Sequence, residues 1–484
     1  MHGNSHRRFG IIGGLGELGA ADVFFKLVKA MPAQNGHALP EINVRQRPFN
    51  EPENPGDASV SQSSRKLYVF DMLKGFEVQN VNAALLPCFI SHTFIDEIRS
   101  EIALPVINIM DALCEHVEHR YPAVKKVGVL TSDYVREKKL FERYFPVGRR
   151  ALVYPEADIQ ARCLMTAIYG PSGIKAGNLG GDSVELLIKA CENLLEQGAE
   201  IIVPGIAEIP IVIDALLARK IPILDSNQIY ASFAASESVG VAIKPFKIGV
   251  VGGVGPAATV DFMHKIVRNT HARRDQEHVK ILVEQNPQIP DRTENLIGQG
   301  TDPTIALYST CKKLESGNAD IIAIPCNTAH AFVERIQSYL TVPIVNMLFE
   351  TVECVRNDYP ECRVVGLLAT DGTIKSNVYG SVFNQAGLEM LIPDGEHQSL
   401  VMEAIYGPKG VKAGFTEGEC RQNLLIALNS LADRGAEVII LGCTELPLLL
   451  GQSDAFPVGG RTVVILDPTE ILARKCVSLC KWPR

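Results

Sequence analysis

The segment Ile321–His330, IIAIPCNTAH, decides the fold predicted for this chain. Its first four residues are apolar or small and rich in β-branched side chains, which favours a short buried strand over a helix. A proline ends that strand and Cys326 follows it, and Asn327 and Thr328 then lead into a helical run, AFVERIQSYL. A thiol between a strand and the start of a helix lies at the positive end of the helix dipole, which lowers the thiol pKa.

A second segment of the same kind is Val438–Leu446, VIILGCTEL, where Cys443 ends a strand and Thr444 and Glu445 are predicted to lead into a helix. In open α/β sheets, ligands bind beyond the carboxyl ends of the strands. Two thiols at such ends therefore suggest two acid–base groups that face one substrate.

Composition sets broad limits on the protein. Its 484 residues suggest about three domains at roughly 150 residues each, and 46% hydrophobic residues allow a large core. The net charge of −8 argues against non-specific binding to nucleic acid or to an acidic membrane. The sequence begins without a signal-peptide pattern and lacks an apolar run of roughly 18 residues, so we expect neither secretion nor a membrane span.

The 12 cysteines are scattered and form no CxxC motif, so neither a zinc ribbon nor a thioredoxin-like site is indicated. A chain of this length does not need disulfides, and reduced thiols fit a cytoplasmic protein.

The sequence contains the same unit twice. FGIIGGLGELGAADVF matches KIGVVGGVGPAATVDF, AIYGPSGIKAGN matches AIYGPKGVKAGF, and QGAEIIVPGIAEIPIVI matches RGAEVIILGCTELPLLL. The offset from Cys88 to Cys326 is 238 residues, and the offset from Lys175 to Lys412 is 237. A near-constant offset predicts a tandem duplication, with one domain at residues 1–243 and another at residues 244–484.

Each copy alternates short apolar strands with helical stretches, which predicts a parallel α/β fold. In the second copy KIGVVGG, VKILVEQ and DIIAIPC form one lobe, and VVGLLAT, LEMLIPD and EVIILGC form another. We therefore expect two tandem units, each of two parallel-sheet α/β lobes that face each other across a cleft.

The run Gly14-Leu-Gly16-Glu-Leu-Gly19 fits the GxGxxG pattern after a strand, and Glu41 follows at the distance expected of a dinucleotide site. The matched run in the second copy lacks the third glycine and contains Pro256. We therefore favour a tight strand–helix turn that lines a cleft over a nucleotide site.

Three further positions carry polar groups that could bind a substrate. Arg292 lies in the loop PDRT and could hold a carboxylate bidentately, although the spacing alone favours an ordinary solvated loop arginine. Lys412 lies among glycines and has a counterpart in Lys175 of the first copy. Thr370 and Thr373 follow a strand, where capping of a helix would by itself explain them.

Together IPCNTAH, LGCTELP, GGVGPAAT, PDRT and IYGPKGVKAG resemble the motifs of the aspartate/glutamate racemase family, which are cofactor-independent amino-acid racemases. The resemblance is dense from about residue 247 to the end and weaker over the first copy. It does not distinguish aspartate from glutamate, because one methylene changes binding by only about 1–3 kcal/mol.

The resemblance implies a two-base racemase that uses neither pyridoxal phosphate nor a metal. One thiolate would remove the α-proton from one face of an acidic amino acid, and the other thiol would protonate the opposite face. By this similarity Cys326 and Cys443 are the two bases. The residues implied to bind the substrate are Arg292, Asn327, Thr328, Thr370, Lys412 and Thr444.

The first copy departs from this pattern. Cys88 remains, but Phe89 and Ile90 replace the Asn-Thr pair, Ile206 stands in place of the second cysteine, and Glu53 lies near the position of the arginine. Isoleucine cannot transfer a proton, so we expect the first copy to be inactive on acidic amino acids.

Two interpretations of the first copy stay open. We favour a structural partner, which would make the chain an intrachain pseudo-dimer with further homo-oligomerisation undecided. It could instead keep a pocket with Cys88, His92 and Lys175 for another ligand. For the whole chain, the alternatives are a different isomerase or decarboxylase on the same scaffold, or an amino-acid-binding regulatory protein.

Overall fold

The computed structural model describes residues 8–31, 40–49, 58–145, 148–236, 245–298 and 300–480. The chain divides into two compact units, Met1–Lys244 and Pro245–Arg484. No helix among the described residues is long and apolar enough to cross a bilayer.

The N-terminal unit contains two parallel sheets, with strand orders β2-β1-β3-β4 and β6-β5-β7. Their strands are β1 Arg8–Ile12, β2 Glu41–Arg45, β3 Ala83–Leu85, β4 Val106–Ile107, β5 Lys126–Thr131, β6 Ala151–Val153 and β7 Ile201–Gly205. The α-helices are α1 Glu17–Ala30, α2 Ala58–Val78, α3 Phe89–His92, α4 Ile95–Arg99, α5 Ile109–Arg120, α6 Asp133–Glu137, α7 Leu140–Tyr144, α8 Ala157–Ile159, α9 Thr166–Tyr169, α10 Asp182–Glu196, α11 Ile213–Ala218 and α12 Ser226–Ala235. A π-helical segment joins α8 to α9, and 3₁₀ turns lie at Ile174–Ala176 and Ile209–Val212.

The C-terminal unit repeats this plan with strand orders β11-β10-β8-β9 and β13-β12-β14-β16-β15. Its strands are β8 Lys247–Gly252, β9 Lys280–Gln285, β10 Ile321–Ala323, β11 Ile344–Val345, β12 Val364–Leu368, β13 Glu389–Leu391, β14 Val438–Leu441, β15 Ser453–Val458 and β16 Arg461–Leu466. Its α-helices are α13 Pro256–Asn269, α14 Arg292–Leu296, α15 Thr304–Ser316, α16 Val333–Gln337, α17 Met347–Asp358, α18 Asp371–Lys375, α19 Gly380–Ala386, α20 Gly395–Tyr406, α21 Glu419–Asp433 and α22 Pro468–Ser478. Among the described residues of this unit, 3₁₀ turns lie at Asp275–Glu277, Thr328–Phe332, Val411–Ala413 and Leu446–Leu448.

Burial on both faces of the sheets explains why the strands are continuously apolar. In the first lobe of the C-terminal unit, Phe262 of α13 and Leu472 of α22 pack in one cluster with β8, and Leu314 of α15 and Ile336 of α16 belong to another. The central strands β8 and β10 are buried between these two layers. Their carboxyl ends are consequently the part of the sheet where polar groups can meet a ligand.

The predicted α/β fold with two parallel-sheet lobes in each unit is confirmed by these sheets. The hairpin β15–β16 was not predicted; β16 adds a parallel strand beside β14, and β15 pairs antiparallel to β16. The prediction of a helix directly after Cys443 was wrong, because the chain makes only the three-residue 3₁₀ turn Leu446–Leu448 there.

Candidate active site

A cavity with an empty volume of about 280 Å³ lies between the two lobes of the C-terminal unit. All eight residues predicted for the site line it, although they come from distant parts of the sequence: Arg292, Cys326, Asn327, Thr328, Thr370, Lys412, Cys443 and Thr444. Val254, Thr293, Tyr406 and Glu445 complete its wall. The structure therefore brings the two candidate thiols to one open space.

Cys326 lies in a tight turn beyond β10, where its N–H donates to the carbonyl of Ile324 over 2.7 Å. Arg292, at the start of α14, interacts with the Cys326 side chain. The guanidinium is held in place because its Nη1 donates to the carbonyls of Ile289 (3.3 Å) and Pro290 (3.1 Å). A buried cation is thus fixed beside the first thiol.

The charge on Arg292 is maintained by its neighbours. Burial disfavours the charged guanidinium, but negative charge on Cys326 and Asp291 outweighs that effect and raises the pKa of Arg292. Its Nε is buried and has no hydrogen-bond partner among the described residues. An unpaired buried donor costs roughly 1–3 kcal/mol, which an incoming anionic oxygen would recover.

Asn327 has a second donor of this kind. Its Oδ1 accepts a hydrogen bond of 2.7 Å from the hydroxyl of Tyr379, which fixes the orientation of the amide. The Nδ2 of Asn327 is buried without a partner in the described part of the chain. Sequence analysis missed Tyr379, because it lies 52 residues from Asn327 and belongs to none of the recognised motifs.

Hydroxyl groups form a buried cluster next to Asn327. The Thr328 hydroxyl lies 2.7 Å from that of Thr373 and 3.4 Å from that of Thr370, and Thr293 donates to Thr370 over 3.1 Å. Thr370 also caps α18, since its side chain accepts from the Thr373 N–H. The capping role considered for Thr370 is therefore present, but the same residue also lines the cavity.

Cys443 has a different environment from Cys326. Its Sγ donates to Oε2 of Glu445 over 3.1 Å, and Oε1 of Glu445 accepts from Lys412 over 2.7 Å. Burial raises the pKa of the Cys443 thiol well above its usual value, and the Glu445 carboxylate raises it further. The prediction that a helix dipole lowers this pKa is therefore wrong, since no regular helix begins here and a carboxylate lies next to the sulfur.

Lys412 is paired with Glu445 rather than free in the pocket. Burial disfavours its ammonium, but Glu445 and Cys443 outweigh this and raise the pKa of Lys412. The ammonium also lies 5.2 Å from the ring centre of Tyr406. Burial raises the pKa of the Tyr406 hydroxyl, which lies 3.4 Å from the hydroxyl of Thr293.

Glu445 and Tyr406 were missed as site residues, but the repeat contained a signal for both. Glu208 and Tyr169 occupy the matched positions in the first copy, within AEIP and AIYGP. Polar residues that survive in both copies next to Lys175 and Lys412 mark a shared feature of the two pockets.

The glycine-rich turn supports the carboxylate rather than resembling an open phosphate loop. A side-chain carbon added at Gly255 would lie 2.6 Å from Oε1 of Glu445, and Gly255 has a φ of +109°. The matched Gly16 would place such an atom 2.5 Å from Glu208. These contacts fit the preferred interpretation of the motif as a turn that lines a cleft.

The N-terminal unit has a corresponding cavity of about 300 Å³. Cys88 and Lys175 line it, but the third candidate, His92, lies outside the lining and is fully buried. Nε2 of His92 lies 2.9 Å from the carbonyl of Leu86, and burial lowers the pKa of the imidazole to about 4. The expectation that His92 belongs to this pocket is therefore wrong, and Glu53 falls outside the described residues.

No group of three or more His, Cys, Asp or Glu side chains with the geometry of a metal site occurs within the described ranges. The lining of the C-terminal cavity offers thiols, a guanidinium, an ammonium–carboxylate pair, an amide and hydroxyls.

The family model of Asp/Glu/Hydantoin racemase matches residues 12–234 and again residues 251–476. The broad specificity amino-acid racemase RacX of Bacillus subtilis is 27% identical over 237 residues, which are 48% of this chain and 96% of that protein. A glutamate racemase of Lysinibacillus sphaericus is 28% identical over 34% of this chain and 60% of its own length. The structure of Picrophilus torridus aspartate racemase covers 48% of this chain and 93% of its own, with 28% identity and a TM-score of 0.42.

The predicted resemblance is thus confirmed in both copies. Because the family model matches two consecutive segments that together make up most of the chain, this protein is a racemase that belongs to the Asp/Glu/Hydantoin racemase family.

Proposed function

We propose that the C-terminal unit racemises an acidic amino acid, aspartate or glutamate, without a cofactor, by proton transfer at Cys326 and Cys443. The observation that carries this proposal is that both thiols line one cavity. Each follows a central strand of a different lobe, β10 for Cys326 and β14 for Cys443. A substrate bound between the lobes would have one sulfur near each face of its α-carbon.

The environments of the two sulfurs suggest their starting roles. Burial and the Glu445 carboxylate keep Cys443 protonated, so it would begin the reaction as the proton donor. Cys326 lies next to the Arg292 guanidinium, whose positive charge would stabilise negative charge on that sulfur, so we assign Cys326 the removal of the α-proton. After one turnover Cys326 holds the proton and Cys443 is the thiolate, so the reverse reaction restores the first state.

The donors around the cavity favour a substrate with two carboxylates. Arg292 Nε and Asn327 Nδ2 are both buried and unpartnered among the described residues, and the Lys412 ammonium lines the same space. One carboxylate could not occupy all of these groups. Fixed donors at the α-carboxylate would also stabilise the negative charge that develops when the α-proton leaves.

The test is α-deuteration of L-aspartate and L-glutamate in D₂O, followed by NMR together with chiral chromatography. Cys326→Ser and Cys443→Ser should each lower racemisation by about 10²–10⁴-fold, the usual contribution of an acid–base group. Cys354→Ser is the matched control, because that half-buried cysteine lies on α17 outside the cavity lining. Near-normal racemisation by either site variant would refute the two-thiol mechanism.

A second candidate is racemisation of neutral amino acids. The observation in its favour is the ion pair between Lys412 and Glu445, in which the two charges neutralise each other. Arg292 is then the lining cation that makes no salt bridge among the described residues, and one cation suits a substrate with one carboxylate. RacX, which is similar over one copy, is named as a broad-specificity enzyme. A panel of neutral and acidic L-amino acids separates the two, since faster α-deuteration of the neutral ones would reject the acidic assignment.

For the N-terminal unit we propose a pseudo-subunit that does not racemise. Ile206 stands where Cys443 does in the second copy, so the lining of this pocket has one thiol and lacks the second thiol of the proposed mechanism. Twelve unpaired cysteines fit a reducing compartment such as the cytoplasm. Light scattering tests the pseudo-dimer, because a mass near 52.7 kDa in solution supports one self-sufficient chain and a multiple of it indicates further assembly.

A further inference from the structure

We propose that His330 is a positioning residue for Cys326, which holds the first thiol in the direction that proton transfer requires. This role rests on the function proposed above for Cys326. His330 is 7% exposed and lies in the 3₁₀ turn Thr328–Phe332, four residues beyond the cysteine. It lies outside the cavity lining formed by the described residues, so it would act on a substrate only through the thiol that it supports.

Two backbone groups hold the imidazole of His330. Its Nδ1 lies 2.9 Å from the carbonyl oxygen of Cys326, and its Nε2 accepts a hydrogen bond of 3.1 Å from the N–H of Met347. A backbone N–H can only donate, so Nε2 carries no proton. The proton of the neutral ring is therefore on Nδ1, where it donates to the carbonyl of Cys326.

The surroundings of His330 favour this neutral ring. Burial lowers the pKa of the imidazole and outweighs the carbonyls of Cys326 and Val345, which favour the charged form. A neutral imidazole has one donor and one acceptor, and these match the Cys326 carbonyl and the Met347 N–H. Met347 is the first residue of α17, so the ring joins the turn that carries the thiol to the start of a helix.

This connection fixes both peptide groups of Cys326. Its N–H donates to the carbonyl of Ile324 over 2.7 Å, and its carbonyl accepts from His330. With both groups held, rotation of the backbone cannot redirect the side chain, and Sγ stays at the cavity that Cys326 lines. Acid–base groups transfer protons over about 2.6–3.2 Å between heavy atoms, so a small error in the direction of the sulfur would slow the reaction.

The N-terminal unit retains the histidine without this contact. His92 stands 238 residues before His330, and its Nε2 lies 2.9 Å from the carbonyl of Leu86. Its Nδ1 is buried without a hydrogen-bond partner among the described residues, and the Cys88 carbonyl accepts from the N–H of Ser91 over 3.0 Å. A histidine that only filled space would make the same contacts in both copies. The contact with the carbonyl of the first thiol instead occurs in the unit that has both thiols.

Two amide variants separate positioning of the thiol from capping of α17. Asparagine can bond to the carbonyl four residues earlier, so His330→Asn keeps a donor for Cys326 and loses the acceptor for Met347. The longer side chain of His330→Gln reaches the position of Nε2, so it keeps the acceptor and loses the donor. We expect His330→Gln to lower kcat by about tenfold or more with KM changed by less than about threefold, because misplacing a reacting group by 1 Å can cost about 10²-fold. His330→Asn should stay within about threefold of the wild-type kcat.

An isotope effect distinguishes a misplaced sulfur from a general loss of structure. The probes are the α-deuterated L- and D-forms of the acidic amino acid that the wild type racemises faster. For the enantiomer whose α-proton Cys326 removes, the isotope effect on kcat should rise in His330→Gln, because that removal has become slower. For the other enantiomer, whose α-proton Cys443 removes, it should not rise. A rise for both enantiomers, or for neither, would overturn the proposal.

Each amide variant is decisive without the other. Near-normal kcat in folded His330→Gln, or a tenfold loss in folded His330→Asn, would overturn the proposal. His92→Gln is the matched control and should racemise at the wild-type rate, so an equal loss there would also overturn it. If the wild type racemises no acidic amino acid, the proposed function fails, and hydrogen exchange of the peptide spanning residues 324–330 still tests the role of His330. That peptide should exchange faster in His330→Gln than in His330→Asn, and equal rates would refute positioning.

Discussion

Tyr379→Phe is expected to destabilise the C-terminal unit and to weaken substrate positioning by Asn327. The Tyr379 hydroxyl donates to Asn327 Oδ1 over 2.7 Å, and both side chains are only 1% exposed. Phenylalanine removes one oxygen and leaves the rest of the packing in place. The main cost is therefore an unpaired buried carbonyl oxygen, about 1–3 kcal/mol in the free energy of unfolding.

The N-terminal unit indicates how to isolate that hydrogen bond. At the matched positions it has Phe89 and Phe141, which stack on each other. Asn327→Phe alone would leave the buried Tyr379 hydroxyl without its acceptor at residue 327, whereas the double variant would recreate the aromatic pair. We therefore expect the double variant to lose less unfolding free energy than the two single variants lose together. The difference should be about 0.5–3 kcal/mol, the range of coupling energies for residues in contact.

The two single variants and the double variant form a double-mutant cycle. Hydrogen exchange followed by mass spectrometry is the best measurement of their stabilities, because a chain of two units need not unfold in one step. Peptides from β10 and α19 report on the C-terminal unit, and peptides from β3 and α7 serve as an internal reference. For the folded single variant Tyr379→Phe we also expect a higher KM with a smaller effect on kcat. Strict additivity of the single variants, or no change in protection for Tyr379→Phe, would refute the reasoning.

Three further predictions follow from the same unit. Glu445→Gln removes the carboxylate beside Cys443, so the pKa of that thiol should fall and its reaction with iodoacetamide should begin at lower pH; an unchanged pH profile would contradict this. Gly255→Ala should reduce racemisation more than Gly414→Ala, because both positions have positive φ but only the first would press on Glu445; equal activities would show that backbone strain alone matters. Lys265→Met should lower the unfolding free energy by about 3–5 kcal/mol, since the buried ammonium of Lys265 contacts two aspartates. Chemical denaturation measures this loss, and a loss below about 1 kcal/mol would contradict a stabilising role of that ion cluster.

The strands and the two thiols were predictable because their signals are local. Short β-branched runs such as Ile321–Ala323 and Val438–Leu441 are followed within three residues by a cysteine, and burial on both faces makes such runs continuous. The duplication added independent support, since each motif in one copy could be compared with its counterpart. The hairpin β15–β16 was missed because it belongs to none of the repeated blocks.

The electrostatics of the site could not be predicted from local pattern. The protonation of Cys443 depends on Glu445, two residues away, whose carboxylate reaches both the sulfur and Lys412. A helix dipole was inferred instead because polar residues follow the cysteine, but the chain makes only the 3₁₀ turn Leu446–Leu448 there. Only the folded arrangement reveals which charge lies closest to the thiol.

The comparison of the two pockets suggests which residues act together as pairs. Asn327 and Tyr379, which share a hydrogen bond, are both replaced in the N-terminal unit, and the replacements stack on each other. The lysine–glutamate pair, in contrast, is present in both units even though Ile206 has replaced the second thiol in one of them. If that pair served only to tune the second thiol, its retention beside an isoleucine would have no physical reason. The pair therefore has a role that does not need the second sulfur: in both units its carboxylate lies against the glycine-rich turn, at Gly16 and at Gly255, and its effect on the pKa of Cys443 is additional in the unit that has that thiol.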